Sequence, residues 1–160
     1  MKKHMVYPVT HTEHNELLSV WESSVKATHH FLSRKDFEFY KELVPAFFDQ
    51  VTLFSVKDED QRITGFIGTN GDQLEMLFID AAHRGKGLGK ALLRYAVEHL
   101  AVTKVDVNEQ NEQAVKFYKH SGFETKSSSD TDGFGKPYPI LHMELNPYKN
   151  RYKTEITGIQ

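Results

Sequence analysis

The stretch "LEMLFID" (residues 74–80), followed by "HRGKGLGKALL" (residues 83–93), decides how this chain reads. Gly85, Gly87 and Gly89 stand at alternate positions, with Arg84, Lys86 and Lys90 around them. Glycine at that spacing costs backbone entropy in a helix and in a strand alike. Between an alternating apolar run and a helical one, it lets the chain turn tightly into a helix. The first N–H groups of that helix then stay open to an anion, with the positive end of the helix dipole behind them. The bland alternative is a surface loop with solvated basic residues.

Two familiar phosphate loops fit poorly. G-x-x-x-x-G-K-[ST] needs one more residue between its glycines than Gly85 and Gly89 allow, and Ala91 stands where a hydroxyl belongs. G-x-G-x-x-G is also off by one, and no acidic residue ends a second strand at the right distance.

Outward from the junction, the order of elements is mixed. Residues 5–9 read as a short strand and 10–32 as a helix, with Thr10 and Glu13 at capping-box spacing. Ser33 and Asp36 open a second helix, whose stripe is Phe37, Tyr40, Leu43, Val44 and Phe47; Pro45 is expected to bend or end it. Strands follow at 51–58 and 62–68, and Asn70-Gly71 marks a hairpin into the strand 73–80. Residues 88–100 read as a helix with Lys90, Arg94 and Glu98 on one wet face. Then come a strand at 104–107, a helix over 108–123 closed by Gly122, a further strand around 123–127, and a last strand at 137–145. That order is a mixed α/β domain around one sheet. The domain is expected over residues 1–146, with a loose polar tail at 147–160.

Composition narrows the function. There is no cysteine, so thiolate metal sites, disulfides and a cysteine nucleophile are excluded. The net charge of −2 gives no overall pull toward nucleic acid or an anionic membrane, so neither is an expected partner. An anion site must be local, and His83, Arg84, Lys86, Lys90 and Arg94 form the basic cluster. No apolar run suits a membrane span or an export signal, and the expected location is cytoplasmic. His11 and His14 lie three apart and His29 adjoins His30, but H-E-x-x-H is absent and no metal is expected.

Two segments resemble a known family. "RGKGLG" (84–89) after "LFID" is similar to the R/Q-x-x-G-x-G/A motif of the GCN5-related N-acetyltransferases. "NEQAVKFYKHSGF" (111–123) is similar to their N-x-x-A-x-x-F-Y-x-x-x-G-F segment. "VKATHHFL", "VNEQNEQAV" and "GKPYPIL" further resemble one bacterial branch, the YjaB-type proteins. The resemblance spans roughly residues 5–146 and implies an α/β fold with one mixed, mostly antiparallel central sheet flanked by about four helices.

It implies acetyl-CoA as cosubstrate, with the pyrophosphate on Arg84, Gly85, Lys86, Gly87, Leu88, Gly89 and Lys90. Backbone donors would come from Leu77, Phe78 and Ile79, and further cofactor contacts from Asn111, Ala114 and Tyr118. The acceptor would be a primary amine of a small molecule or a peptide, attacking directly in a ternary complex. The enzyme is expected as a monomer or homodimer. Tyr118 is the candidate acid for the leaving thiolate; by periodicity alone it is a core aromatic. Asn111 also reads as a helix cap. Glu75 is the candidate base: alternation puts it on one face with Gln73, Leu77 and Ile79, and apolar neighbours would raise its pKa. An edge carboxylate reaching water is the equal alternative. His29, His30, His142, Tyr138 and Trp21 are candidates for the acceptor pocket. A non-catalytic acyl-CoA sensor, or a nucleotide-phosphate enzyme, would keep the cradle without this chemistry.

Overall fold

The structure is a computed structural model that describes residues 4–150 and 152. Seven strands form one sheet in the order β1-β2-β3-β4-β5-β7-β6. They are β1 (Tyr7–Pro8), β2 (Thr52–Lys57), β3 (Ile63–Asn70), β4 (Gln73–Ile79), β5 (Lys104–Asn108), β6 (Phe123–Ser129) and β7 (Ile140–Leu145). Every pairing is antiparallel except β4 with β5. The helices are α1 (His14–Thr28), α2 (Arg34–Phe48), α3 (Leu88–His99) and α4 (Glu112–His120). Among the described residues no helix is long and apolar enough to cross a membrane.

The sheet is covered on both faces. Against one pack Leu17, Val20, Trp21 and Val25 of α1 and Phe37, Val44 and Phe48 of α2, meeting Leu53, Ile63 and Phe66. Against the other pack Leu88, Leu92, Leu93 and Ala96 of α3 and Tyr118 of α4, meeting Ile67, Leu74, Val105, Val107 and Met143. On the α1/α2 face, β5, β7 and β6 contribute nothing to the buried core among the described residues. Here the loop between β6 and β7 leans back instead. Tyr40 donates to Asp132, Tyr138 donates to Asp36, and Lys136 lies 2.9 Å from Asp36.

Several expected boundaries move. The first helix is shorter than 10–32: a 3-10 turn spans His11–Glu13, and α1 stops at Thr28, where His29 leaves helical geometry with ψ 57°. Glu13 caps as expected, its carboxylate accepting from the Thr10 N–H at 2.9 Å. Ser33 caps α2, accepting from the Asp36 N–H at 3.1 Å. Pro45 does not end α2, which continues to Phe48. The hairpin central residues are Gly71-Asp72, since Asn70 pairs with Gln73. Gly71 takes φ +60°, the conformation that glycine supplies at the first position of a II′ turn. The last helix begins at Glu112 rather than at Asn108, with Asn111 as its cap. Most of the expected loose tail, residues 151 and 153–160, lies outside the described residues; in its described part Lys149 bonds back to Asn146 at 3.0 Å and pairs with Glu124 at 2.8 Å.

Candidate active site

β4 and β5 pair only at Gln73–Lys104 and Leu74–Val105, then separate. The cause is visible in the β3–β4 register. Gly68 faces Met76 and Thr69 faces Leu74, so Glu75 is the extra residue of a β-bulge. The bulge breaks the alternation expected over 73–79: Leu74 and Leu77 both pack toward α3, although three residues apart. Glu75 therefore does not share a face with Leu77 and Ile79 by simple alternation. It is exposed at the start of the opening.

Past the bulge the backbone alternates again. The Asp80 N–H donates to the Thr64 carbonyl at 2.8 Å, and Phe78 faces Phe66, so the N–H groups of Phe78 and Asp80 belong to β3. Those of Leu77 and Ile79 then point away from β3, into the gap left by β5. Of the three expected backbone donors, Phe78 is thus turned away.

The gap widens into a cleft of about 530 Å³. One end is the glycine loop. Gly85 and Gly87 hold φ +76° and +82°, and Gly87 is the cap residue of α3. Its carbonyl accepts from the Ala91 N–H at 3.0 Å, so the N–H groups of Leu88, Gly89 and Lys90 precede the first helical bond. Arg84 reaches over to Gln113 of α4. Gly89 lies beneath the Phe117 ring, 3.6 Å from where a Cβ would stand.

The structure brings Glu75, Leu77, Phe78, Ile79, Arg84, Gly85, Gly87, Leu88, Gly89, Lys90, Asn111, Ala114 and Tyr118 together around this one cleft; Lys86 is not part of its lining. Asn111 accepts from the Ala114 N–H at 3.2 Å while lining the cleft, so cap and contact coexist. Tyr118 is 7% exposed and its hydroxyl has no hydrogen-bond partner among the described residues. Burial, with Tyr152 nearby, pushes its pKa well above the usual phenol range, so it stays protonated.

The far end is polar and was only partly expected. Ser24 and Thr28 come from α1, His29 from just past its end, and Asp106 and Asn108 from β5. Burial and His30 lower the His29 pKa to about 4, leaving a neutral ring whose Nδ1 lies 2.7 Å from the Thr28 hydroxyl. Although Glu75 is exposed, partial desolvation at the cleft wall, and then the Asp106 charge, raise its pKa. Asp106 itself stands 2.7 Å from His142 Nδ1. The exposed alternation of "KVDVN" placed Asp106 opposite Val105 and Val107 and was the signal available for it. Trp21 is not at the site: it stacks on Phe37 at 5.4 Å within the α1/α2 core. Tyr138 is engaged by Asp36, and His30 lines a separate groove between α1 and α2. His11 and His14 gather Asp49, their ligand atoms within 4.8 Å of one another, at the N-terminal end of α1 and away from the cleft.

Known proteins agree with this architecture. A family profile described as the acetyltransferase (GNAT) domain matches residues 16–145. The peptidyl-lysine N-acetyltransferase YjaB of Salmonella typhimurium is 41% identical over 134 residues, covering 83% of this chain and 92% of that protein. Its Escherichia coli counterpart is 40% identical over 133 residues, covering 83% and 90%. The solution structure of apo-form YjaB from Escherichia coli superposes with a TM-score of 0.82 at 37% identity, over 90% of this chain and 98% of that one. An N-acetyltransferase from Thermoplasma acidophilum, solved in complex with coenzyme A, shares the fold at 20% identity with a TM-score of 0.67, over 90% and 100%. The chain belongs to the GCN5-related N-acetyltransferase (GNAT) family and is an enzyme of acetyl transfer.

Proposed function

We propose that this enzyme moves the acetyl group of acetyl-CoA to the side-chain amine of a lysine in a peptide or protein, by direct attack. One observation carries the reading: a single cleft joins the open N-terminus of α3 to the carboxylates Glu75 and Asp106. The first end suits a pyrophosphate, and the second suits a cation such as a lysine ammonium. Two relatives named for peptidyl-lysine acetylation support that acceptor class.

The roles follow from position. The N–H groups of Leu88, Gly89 and Lys90, with Arg84 beside them, hold the phosphates. The gap between β4 and β5 takes the extended arm, and Leu77 and Ile79 offer N–H donors where a carbonyl oxygen gains charge. An alkylamine has a pKa near ~10.4, so the acceptor arrives charged and must lose a proton before attack. Glu75, its proton affinity raised, is placed to accept that proton. Tyr118, protonated and facing the cleft, is placed to donate to the departing sulfur. Each step is served by groups of this chain, in a cytoplasmic enzyme that works as a monomer or homodimer. Incubation with acetyl-CoA and a lysine peptide panel, read by mass spectrometry, tests the function. Transfer to lysine Nζ is expected; transfer only to small amines would overturn the acceptor class.

A further inference from the structure

Away from the cleft, three metal-ligating side chains meet where the start of α1 adjoins the end of α2. His11, His14 and Asp49 each offer a ligand atom, and these atoms all lie within 4.8 Å of one another. Spacing along the chain supplies only the histidine pair. The carboxylate comes from the far end of a different helix, so the fold completes the set.

Local structure puts the two rings together. His11 opens the 3-10 turn His11–Glu13, and His14 opens α1. Residues three apart in a 3-10 turn eclipse one another, so both imidazoles leave the chain on one side. Their centroids lie 4.7 Å apart. The His14 ring stands edge-on to Phe48 at 5.4 Å, and Phe48 belongs to the buried core. The turn is held by the Thr10 N–H, which donates to the Glu13 carboxylate at 2.9 Å. Glu13 is engaged further by Lys57 at 3.0 Å and stays out of the cluster.

The protein leaves these three side chains without polar partners. Among the described residues no side-chain hydrogen bond or ion pair holds His11, His14 or Asp49. Asp49 is the C-cap residue of α2, and the last turn of that helix carries no basic residue. A carboxylate at the negative end of a helix dipole is unfavourable by itself and is offset by a cation placed against it.

We propose that His11, His14 and Asp49 bind one divalent transition-metal ion of the zinc class. Two imidazoles and a carboxylate suit Zn²⁺ better than Mg²⁺ or Ca²⁺, which favour all-oxygen ligand sets. Tetrahedral ligands at about 2.0–2.2 Å from the ion stand about 3.3 Å from one another, so the donors close in by at most about 1.5 Å. His11 and Asp49 are exposed, and rotation of their side chains covers that distance. Three protein ligands leave a fourth position to water. The ion ties the turn before α1 to the end of α2, over the core made by Leu17, Val44 and Phe48. It stabilises the helix pair and takes no part in the acetyl transfer read above.

Calorimetric titration of the untagged full chain with Zn²⁺ tests the site. The chain has no cysteine, so no thiolate site competes. One equivalent is expected to bind with micromolar Kd, undisturbed by excess Mg²⁺ or Ca²⁺. The melting temperature should rise with added Zn²⁺ and return on chelation, because an ion that binds only the folded chain stabilises it. His11→Ala and Asp49→Asn each remove an exposed ligand and should weaken binding by roughly a hundredfold, at least what the loss of an outer partner of a metal ligand costs. His99→Ala removes another exposed histidine and should bind Zn²⁺ as the wild type does. Absence of binding, wild-type affinity in either ligand variant, an equal loss in His99→Ala, or displacement by Mg²⁺ would each overturn the site. Acetyl transfer by the chelated protein is a separate measurement; its failure would overturn the function and leave the metal site standing.

Discussion

The backbone of Lys149 lies directly against Gly122, leaving no room there for a Cβ: its carbonyl carbon would stand 2.9 Å away. Gly122 also holds φ +103°, a region closed to most L-residues. It ends α4 and admits the turn that follows β7, with the Asn146 N–H bonding the Gly122 carbonyl at 2.9 Å. Gly122→Ala should therefore destabilise the fold by about 2 kcal/mol or more, combining a strained backbone with a clash against backbone. Urea unfolding measures it; a loss below half that figure would show that the 146–149 turn simply moves away.

Ser55 presents the opposite case. It is wholly buried in β2, and its hydroxyl is the buried side-chain atom without a hydrogen-bond partner among the described residues. Ser55→Ala removes the unsatisfied oxygen and leaves the Cβ in place. A gain of about 1 kcal/mol is expected, since a buried unpaired polar group costs about 1–3 kcal/mol. Unchanged or lower stability in denaturant titration would mean that the hydroxyl is paired in solution.

Gly87 separates conformation from charge. Nothing lies within 4 Å of where its Cβ would stand, yet its φ is +82°. Gly87→Ala should cost about 1 kcal/mol of stability and keep most acetyl-CoA affinity. Gly87→Glu adds a carboxylate at the open N–H groups of α3 and should abolish binding by calorimetry. Equal affinity in the two variants would move the phosphate site away from this loop.

Tyr118→Phe should keep acetyl-CoA affinity and lose roughly 10²-fold or more in kcat. The ring packs edge-on to Phe117 and Phe123 at 5.1 and 5.7 Å, and phenylalanine preserves both contacts. Only the hydroxyl, unpaired among the described residues, is removed. Full turnover in the variant would reduce Tyr118 to packing.

The sequence made some of this legible and hid the rest for physical reasons. Glycines at 85, 87 and 89 between an apolar strand and an apolar helix suit a tight turn into an open helix N-terminus, and that turn stands where they put it. Ser33, Asn111 and Gly122 marked helix ends because capping is local chemistry. The bulge at Glu75 was invisible: it arises from the register between β3 and β4, and Gly68 and Met76 carry no local sign of it. β6 was hard to extend because it is an edge strand, polar on most of its length, and takes its order from β7. The pair of Asp106 and His142 depends on β5 and β7 being neighbours, which spacing along the chain does not encode.

Glu75 gives the sharpest test, because its stability effect and its activity effect have opposite signs. Partial desolvation, then the Asp106 charge, raises its pKa above the ordinary 4.5. The folded state therefore binds the Glu75 proton more tightly than the unfolded state does. As pH rises through the window that starts near 4.5, the wild type loses stability by ionising a carboxylate beside another one; above the raised value the deficit stays constant. Glu75→Gln lacks that ionisation. It should melt higher than the wild type at pH 7–8, with the difference shrinking as pH falls toward 4.5. Turnover should move the other way. The amide fills the same space but takes up no proton, so kcat/KM on a lysine peptide should fall to a lower plateau. The enzyme-side limb of the pH profile should vanish, leaving only the ionisation of the amine. Both measurements use one variant and one peptide, so a misfolded protein cannot mimic the result: it would melt lower. Parallel pH profiles together with a higher melting temperature would keep the electrostatic account of Glu75 and remove it from the chemistry, leaving Asp106 as the carboxylate that meets the acceptor.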